Sequence, residues 1–199
     1  MNAVKQFSKP EGFLGRLAGR LMAFKNRKRG KWAMELLELK PTLDILEIGF
    51  GSGRELGRIA ESVASGKILG LDHSHVMRQQ AEGRNRKLVK SGRMNLKTAD
   101  VGSLLSEISD RNLDRVYAIN SWQFWPDQTK AILDIKTMLK PGGMALIVFQ
   151  ARGKDANDAA SRAGAVKLKD QMEKAGFKEI SVYEKDLSPT IAVAVRGVA

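Results

Sequence analysis

Short apolar runs alternate with amphipathic stretches along most of the chain, beginning near residue 42. The apolar runs have the length of strands, and the stretches between them place apolar residues at the spacing of a helix face. The pattern predicts strands at residues 43–48, 66–71, 94–98, 113–119, 144–149, 177–184 and 190–195. It predicts helices at residues 54–65, 74–90, 101–108, 127–139 and 159–175. This alternation favours a doubly wound α/β fold, in which helices cover both faces of a parallel sheet.

The last two predicted strands depart from the alternation, because only a short turn around Leu187-Ser188-Pro189 lies between them. A turn can join antiparallel neighbours, whereas a parallel pair needs a long crossover. We therefore expect one antiparallel pair at the end of the chain.

The length of 199 residues fits one domain with a core of its own. The chain has no cysteine, which excludes disulfides, thiolate metal sites and cysteine nucleophiles. No apolar run approaches the roughly 20 residues that span a bilayer, and the N-terminus does not resemble a signal peptide. We expect a cytoplasmic protein, with attachment to a membrane surface as an alternative.

Positive charge is concentrated at the N-terminus. Residues 1–31 hold nine lysines and arginines and one acid, so they carry +8 of the net charge of +12. Residues 12–31 form a basic amphipathic helix candidate, and we divide the chain into an N-terminal helical lid at 1–32 and a domain at 33–199. Such a segment suits an anionic neighbour such as a membrane surface, or it is simply a solvated helix face.

A glycine-rich loop joins the first predicted strand to the first helix, with the sequence Glu47-Ile48-Gly49-Phe50-Gly51-Ser52-Gly53. Glycines at such a turn allow positive φ angles and a close approach of the backbone to a ligand. The dinucleotide fingerprint requires a glycine where Arg54 stands, and no Gly-Lys-Ser/Thr follows as in a P-loop. The loop therefore predicts a ligand site of a different kind.

The pattern Glu-x-Gly-x-Gly-x-Gly resembles motif I of the class I S-adenosylmethionine-dependent methyltransferases. Acidic or amide residues follow the next three strands, at Asp72, Asp100 and Asn120, and Leu139-Lys140-Pro141-Gly142-Gly143 before the fifth strand is also typical of this family. The resemblance covers about residues 33–196 and is greatest to small bacterial ubiquinone and menaquinone biosynthesis methyltransferases. It implies a seven-stranded Rossmann-like sheet of order 3-2-1-4-5-7-6, with strand 7 antiparallel.

The resemblance also implies S-adenosylmethionine as the cofactor and assigns residues to it. Asp72 would meet the ribose hydroxyls and Asp100 the adenine, although each acid is also a candidate for a simple helix-flanking role. Glu47 would orient the methionine end of the cofactor, or is a buried structural acid. The full set of predicted cofactor residues is Glu47, Gly49, Phe50, Gly51, Gly53, Asp72, His73, Asp100, Val101, Asn120 and Ser121.

The acceptor side is less defined by the sequence. Trp122, Phe124 and Trp125 form the densest aromatic cluster and are predicted to line the acceptor pocket, with at least one of them in the core. No general base is assigned, Asp127 is read as a helix N-cap, and no metal site is predicted. The sequence after strand 4 lacks the Asn/Asp-Pro-Pro-Tyr/Phe motif of enzymes that methylate adenine or glutamine amide nitrogens.

Three functions remain open from the sequence. The first is a methyltransferase acting on a small molecule, as a monomer or homodimer. The second is a methyltransferase that works on a membrane surface, on a lipid or quinone, with residues 12–31 in the interface. The third is a nucleic-acid-binding protein with a vestigial cofactor fold, which is disfavoured because only Phe24 and Trp32 flank the basic run closely.

Overall fold

The computed structural model describes residues 28–199. Most of the predicted lid at 1–32 and of the predicted interfacial segment at 12–31 therefore lies outside the described residues. Within the described part, a helix over residues 28–36, named α1, precedes the sheet. None of the helices in this part is both long enough and apolar enough to traverse a bilayer.

In residues 28–199, seven strands form one sheet. They are β1 (Ile45–Ile48), β2 (Ile68–Asp72), β3 (Met94–Thr98), β4 (Leu113–Ile119), β5 (Leu139–Phe149), β6 (Lys178–Lys185) and β7 (Ala192–Val198). The α-helices that follow α1 are α2 (Arg54–Ser62), α3 (His75–Arg84), α4 (Arg86–Lys90), α5 (Leu104–Glu107), α6 (Gln128–Met138) and α7 (Asp158–Lys174). Two short 3-10 turns cover Val101–Ser103 and Trp122–Phe124.

The order of the strands is β3-β2-β1-β4-β5-β7-β6, which confirms the predicted order. β1 lies near the centre and pairs in parallel with both β2 and β4, while β7 runs antiparallel between β5 and β6. The order reverses at β1, so the carboxyl ends of β1 and β4 form the switch point at which doubly wound sheets bind ligands.

The strands on either side of that point are apolar along their length. Every residue of β1 and β2 is buried, as expected for strands covered by helices on both faces. Two hydrophobic clusters fill the two faces: one packs against α6 and α7 and includes Ile132 and Leu168, and the other packs against α1 and α2 and includes Leu37 and Leu56. Packing on both faces therefore fixes the positions of the strands whose carboxyl ends form the switch point.

The predicted helix at 74–90 is divided at Asn85. Ser74 caps its start as predicted, with the Oγ accepting the Met77 N–H at 3.3 Å. Asn85 is buried, and its amide donates to the carbonyl oxygens of Gly53 at 2.8 Å and Ala81 at 3.0 Å. The side chain thus ties the helix to the end of the glycine loop, which accounts for the break.

Two further boundaries differ from the prediction. β5 starts at Leu139 instead of residue 144, because Leu139 pairs with Leu113 ahead of a register shift and the Gly143 carbonyl accepts the Ala199 N–H at 2.8 Å. The helix predicted at 101–108 begins as a 3-10 turn before α5. Tertiary pairing, absent from a local pattern, sets both boundaries.

Candidate functional site

The glycine loop turns at the carboxyl end of β1, and three of its residues have left-handed φ angles: Gly49 at 82°, Gly51 at 51° and Gly53 at 68°. A Cβ at Gly49 would lie 2.4 Å from the Ser121 Cβ, and one at Gly53 would lie 2.5 Å from the Ala81 Cβ. A Cβ at Gly51 would meet nothing within 4 Å. The outer glycines are therefore required by close packing, while Gly51 faces open space in which a ligand can approach the backbone.

Asp72, the last residue of β2, holds the loop in place. One carboxylate oxygen accepts the Gly51 N–H at 2.8 Å, and the other accepts the Ser74 N–H at 2.9 Å. The side chain is buried, so these charge-assisted bonds are shielded from water. Each carboxylate oxygen can accept a second hydrogen bond, so the geometry combines a structural role with the capacity to bind hydroxyl groups.

Glu47 is 2% exposed and accepts a hydrogen bond from the Tyr117 hydroxyl at 2.6 Å. Burial raises the pKa of Glu47 to about 8, the Tyr117 hydrogen bond opposes that rise, and the nearby carboxylates of Glu55 and Asp72 add to it. Burial also raises the pKa of Tyr117 well above its ordinary value. The carboxyl groups of Glu47, Glu55 and Asp72 therefore interact with one another near the loop, and a positively charged ligand there would favour their ionised forms.

Asn120 follows β4 and adopts a φ of 56°, a left-handed conformation that is uncommon outside glycine. Its N–H donates to the Val148 carbonyl at 2.7 Å, and its side-chain Oδ1 is buried without a hydrogen-bond partner in the described part of the chain. Ser121 donates from its Oγ to the Ile48 carbonyl at 2.7 Å, which joins the ends of β4 and β1. Strain and an unsatisfied buried oxygen at one residue are typical of a binding position.

The remaining predicted cofactor residues lie along the ends of β2 and β3. Asp100 is exposed, and it starts the 3-10 turn through its backbone without a capping bond from its side chain. Val101 is buried, and Phe50 packs against the backbone of Gly70, where an added Cβ would lie 2.7 Å from its ring. His73 has a side chain that is 80% exposed, with Nδ1 3.6 Å from an Asp72 oxygen.

A family model that is described as a methyltransferase domain matches residues 45–143, which contain all of the predicted cofactor residues. The chain is 29% identical over 177 residues to YdaC of Bacillus subtilis, an uncharacterized methyltransferase, with 89% of this chain and 94% of YdaC covered. The chain is a class I S-adenosylmethionine-dependent methyltransferase.

Solved methyltransferases share the fold. A S-adenosylmethionine-dependent methyltransferase from Aquifex aeolicus superposes with a TM-score of 0.64 at 18% identity, covering 85% of this chain and 88% of that one. The N-methyltransferase NodS from Bradyrhizobium japonicum gives a TM-score of 0.68 at 17% identity, covering 87% of this chain and 96% of NodS. At these identities the likeness establishes the architecture alone, which agrees with the strand order described above.

The three aromatic residues after β4 have different surroundings in this methyltransferase. Trp122 is 3% exposed and stacks on Phe149, with ring centroids 4.8 Å apart and planes at 43°. Trp125 is also buried, whereas Phe124 is 69% exposed. Trp122 therefore packs as a core residue, as expected of at least one of the three. Asp127 caps α6 as predicted, accepting the Lys130 N–H at 2.9 Å.

Two residues at the carboxyl edge, Arg29 and Gln150, were not predicted from the sequence. Arg29 of α1 is 3% exposed and donates to Gln150, which directly follows β5. The Gln150 amide donates to the carbonyl oxygens of Leu187, at 2.9 Å, and Thr190. Arg29 was counted only as part of the basic segment, because nothing in the local pattern distinguishes a buried arginine from its exposed neighbours.

Metal ligation finds no support in residues 28–199. No group of three or more histidine, cysteine, aspartate or glutamate side chains in that range is arranged to hold a metal ion.

Proposed function

We propose that this methyltransferase acts on a small-molecule acceptor, which binds where the carboxyl ends of β1, β4 and β5 meet. The observation that carries the proposal is the position of α1 across that edge. A Cβ on Gly30 would lie 2.3 Å from the Glu55 carboxylate, and the neighbouring Arg29 bonds to Gln150. A helix that spans the edge from α2 to β5 leaves room for a small molecule more readily than for a polymer.

The residues at the edge fit S-adenosylmethionine. The open side of Gly51 admits the cofactor to the loop backbone, the carboxylate of Asp72 can accept its ribose hydroxyls, and Asp100 can accept its adenine amine. The acidic surroundings of Glu47 favour the positive charge of its methionine end, and the unpaired Oδ1 of Asn120 offers an acceptor for the ammonium. The bound cofactor supplies an electrophilic methyl group on a sulfonium.

The protein's part in such a reaction is to hold and desolvate the two reactants. His73, Val101 and Ser121 complete the proposed cofactor contacts, and Phe124 and Trp125 are proposed to contact the acceptor. We also propose that α1 belongs to a lid formed by residues 1–32, and that closure of this lid would exclude water from the site. The contacts of residues 29 and 30 with the site support this role.

The cofactor site is tested by calorimetry with S-adenosylhomocysteine. Asp100→Ala removes a carboxylate that makes no capping bond, so we expect little change in stability and a loss of about 10- to 100-fold in affinity, the usual effect of one hydrogen bond to a charged group. Asp110→Ala is the control, since it removes the same charge from a surface residue that pairs with Lys67. Equal affinities of the two variants would remove Asp100 from the site.

The acceptor class is tested with labelled S-adenosylmethionine and three kinds of acceptor: phenols and quinols in solution, the same quinols in anionic vesicles, and RNA. We expect transfer to a dissolved small molecule. Transfer only in the presence of vesicles, together with salt-dependent flotation of the protein, would instead favour a membrane-surface enzyme of the quinone-methylating kind. Transfer to RNA alone would contradict the proposal.

A further inference from the structure

We infer that Arg152, supported by Arg29, forms a binding site for an anionic group of the acceptor, a carboxylate or a phosphate. This inference rests on the proposed function, because it places a charged substrate at the acceptor edge of the same site. Arg29 bonds to Gln150, Arg152 follows Gln150 by two residues, and the charges of the two arginines interact. The two residues come from parts of the chain that are far apart, α1 and the loop after β5.

The base of the loop that carries Arg152 is held by neighbouring elements. The Gln150 amide bonds to the backbone of Leu187 and Thr190, and the Ala151 N–H donates to the Ser161 Oγ at 3.1 Å. The two residues that precede Arg152 are therefore held by hydrogen bonds, one to the loop before β7 and the other to α7. An arginine on a fixed backbone loses less conformational freedom when it binds a ligand.

The loop that carries Arg152 leaves the sheet next to the end of β4, where we propose that methyl transfer occurs. β4 and β5 pair in parallel up to Ile119 and Val148, and the Asn120 N–H donates to the Val148 carbonyl. Asn120, the residue with the buried, unpaired Oδ1, thus bonds to a residue two positions before Gln150 in the sequence. An acceptor that is held at Arg152 would extend from there toward the methionine end of the cofactor.

The electrostatics of the two arginines favour an anion. Burial and, to a smaller extent, the positive charge of Arg152 lower the pKa of Arg29 to about 10. The Arg152 residue is exposed, but partial desolvation of its guanidinium lowers its pKa too. Arg152 forms no hydrogen bond or ion pair with residues 28–199, so its five donors can meet a ligand. An anion placed there would offset the repulsion between two like charges and bind through the planar fork of Arg152.

The experiment uses the full chain saturated with S-adenosylhomocysteine, titrated with three probes of similar shape: benzoate, phenyl phosphate and the neutral benzamide. The variants are Arg152→Gln and Lys154→Gln. Lys154 is an exposed residue of the same loop, so its substitution removes the same charge from the same region without touching the proposed contact. S-adenosylhomocysteine affinity is measured first in each protein.

We expect the wild type to bind at least one anionic probe more tightly than benzamide. Arg152→Gln should weaken that probe by at least about tenfold, the effect of losing a charge-assisted hydrogen bond, while Lys154→Gln changes it less than about twofold. A preference for benzoate assigns a carboxylate acceptor, and a preference for phenyl phosphate assigns a phosphate. Equal losses in the two variants, or no preference for anions over benzamide, would overturn the anion site. Failure of the wild type to bind S-adenosylhomocysteine would overturn the proposed function itself.

Discussion

The burial of Glu47 predicts how the free energy of unfolding changes with pH. The carboxyl group is buried against the Tyr117 hydroxyl, with a pKa raised from 4.5 to about 8. The folded protein therefore keeps a proton on Glu47 at pH values at which the unfolded chain has released it. Because the folded state binds more protons between pH 4.5 and pH 8, its free energy of unfolding falls as the pH rises through that range.

The size of the effect follows from the shift. One pKa unit corresponds to about 1.4 kcal/mol, so a rise from 4.5 to about 8 sets an upper limit of about 5 kcal/mol, and relaxation around the charge reduces it to about 2–5 kcal/mol. The contribution is fully present below pH 4.5 and lost above pH 8. Glu47→Gln keeps an oxygen that can accept the Tyr117 hydrogen bond and removes the titration. We expect the variant to gain stability relative to the wild type as the pH rises.

The assay is urea unfolding of the wild type and Glu47→Gln at pH 5, 6, 7 and 8, followed by circular dichroism. Subtracting the two curves cancels groups that both proteins share, including Glu55, whose pKa burial also raises. Glu61→Gln, at an exposed residue of α2, is the control for the removal of a carboxylate from the surface. A difference between the wild type and Glu47→Gln that stays constant from pH 5 to pH 8 would refute the reasoning.

Cofactor binding gives an independent test of whether Glu47 is protonated. If Glu47 contacts the positively charged methionine end, binding of S-adenosylhomocysteine favours the ionised carboxylate and expels the proton at pH 7. Calorimetry in buffers of different ionisation enthalpy counts released protons: we expect close to one for the wild type and none for Glu47→Gln. Equal counts for the two proteins would place Glu47 away from the ligand.

Five further substitutions separate effects on binding from effects on folding. Gly51→Ala and Gly92→Ala both force alanine into a left-handed conformation with open space around the Cβ, at a cost of about 1–2 kcal/mol. Thermal melts should show similar losses of stability for the two variants. Calorimetry with S-adenosylhomocysteine should show weaker binding only for Gly51→Ala. Trp122→Ala should cost about 3–5 kcal/mol in urea unfolding because its ring is in the core, whereas Phe124→Ala should change stability by less than about 0.5 kcal/mol and raise the KM for the acceptor. Asn120→Gly should relieve about 1 kcal/mol of backbone strain in the same unfolding assay and still weaken S-adenosylhomocysteine.

The local pattern of the chain was sufficient for the architecture. The apolar runs predicted the location of all seven strands, and the short turn before β7 predicted the antiparallel pair. These features are local, because a strand buried on both faces must be apolar throughout and a turn of few residues cannot connect parallel strands. The glycine spacing at Gly49, Gly51 and Gly53 was equally readable, since left-handed backbone at a strand-to-helix turn favours glycine.

The contacts of the site were decided by the tertiary structure. Glu47 and Tyr117 are separated by 70 residues and Arg29 and Gln150 by 121. The first pair meets through the pairing of β1 with β4, and the second through the packing of α1 against the end of β5. The same holds for Asn85, which interrupts a helix by bonding to the glycine loop, and for the different burial of Trp122 and Phe124. A sequence shows which residue types are present and how they alternate. Which side chains are buried and which partners they contact depends on packing between distant segments. That packing raises the pKa of Glu47 and brings Arg29 to Gln150 at the carboxyl edge of the sheet.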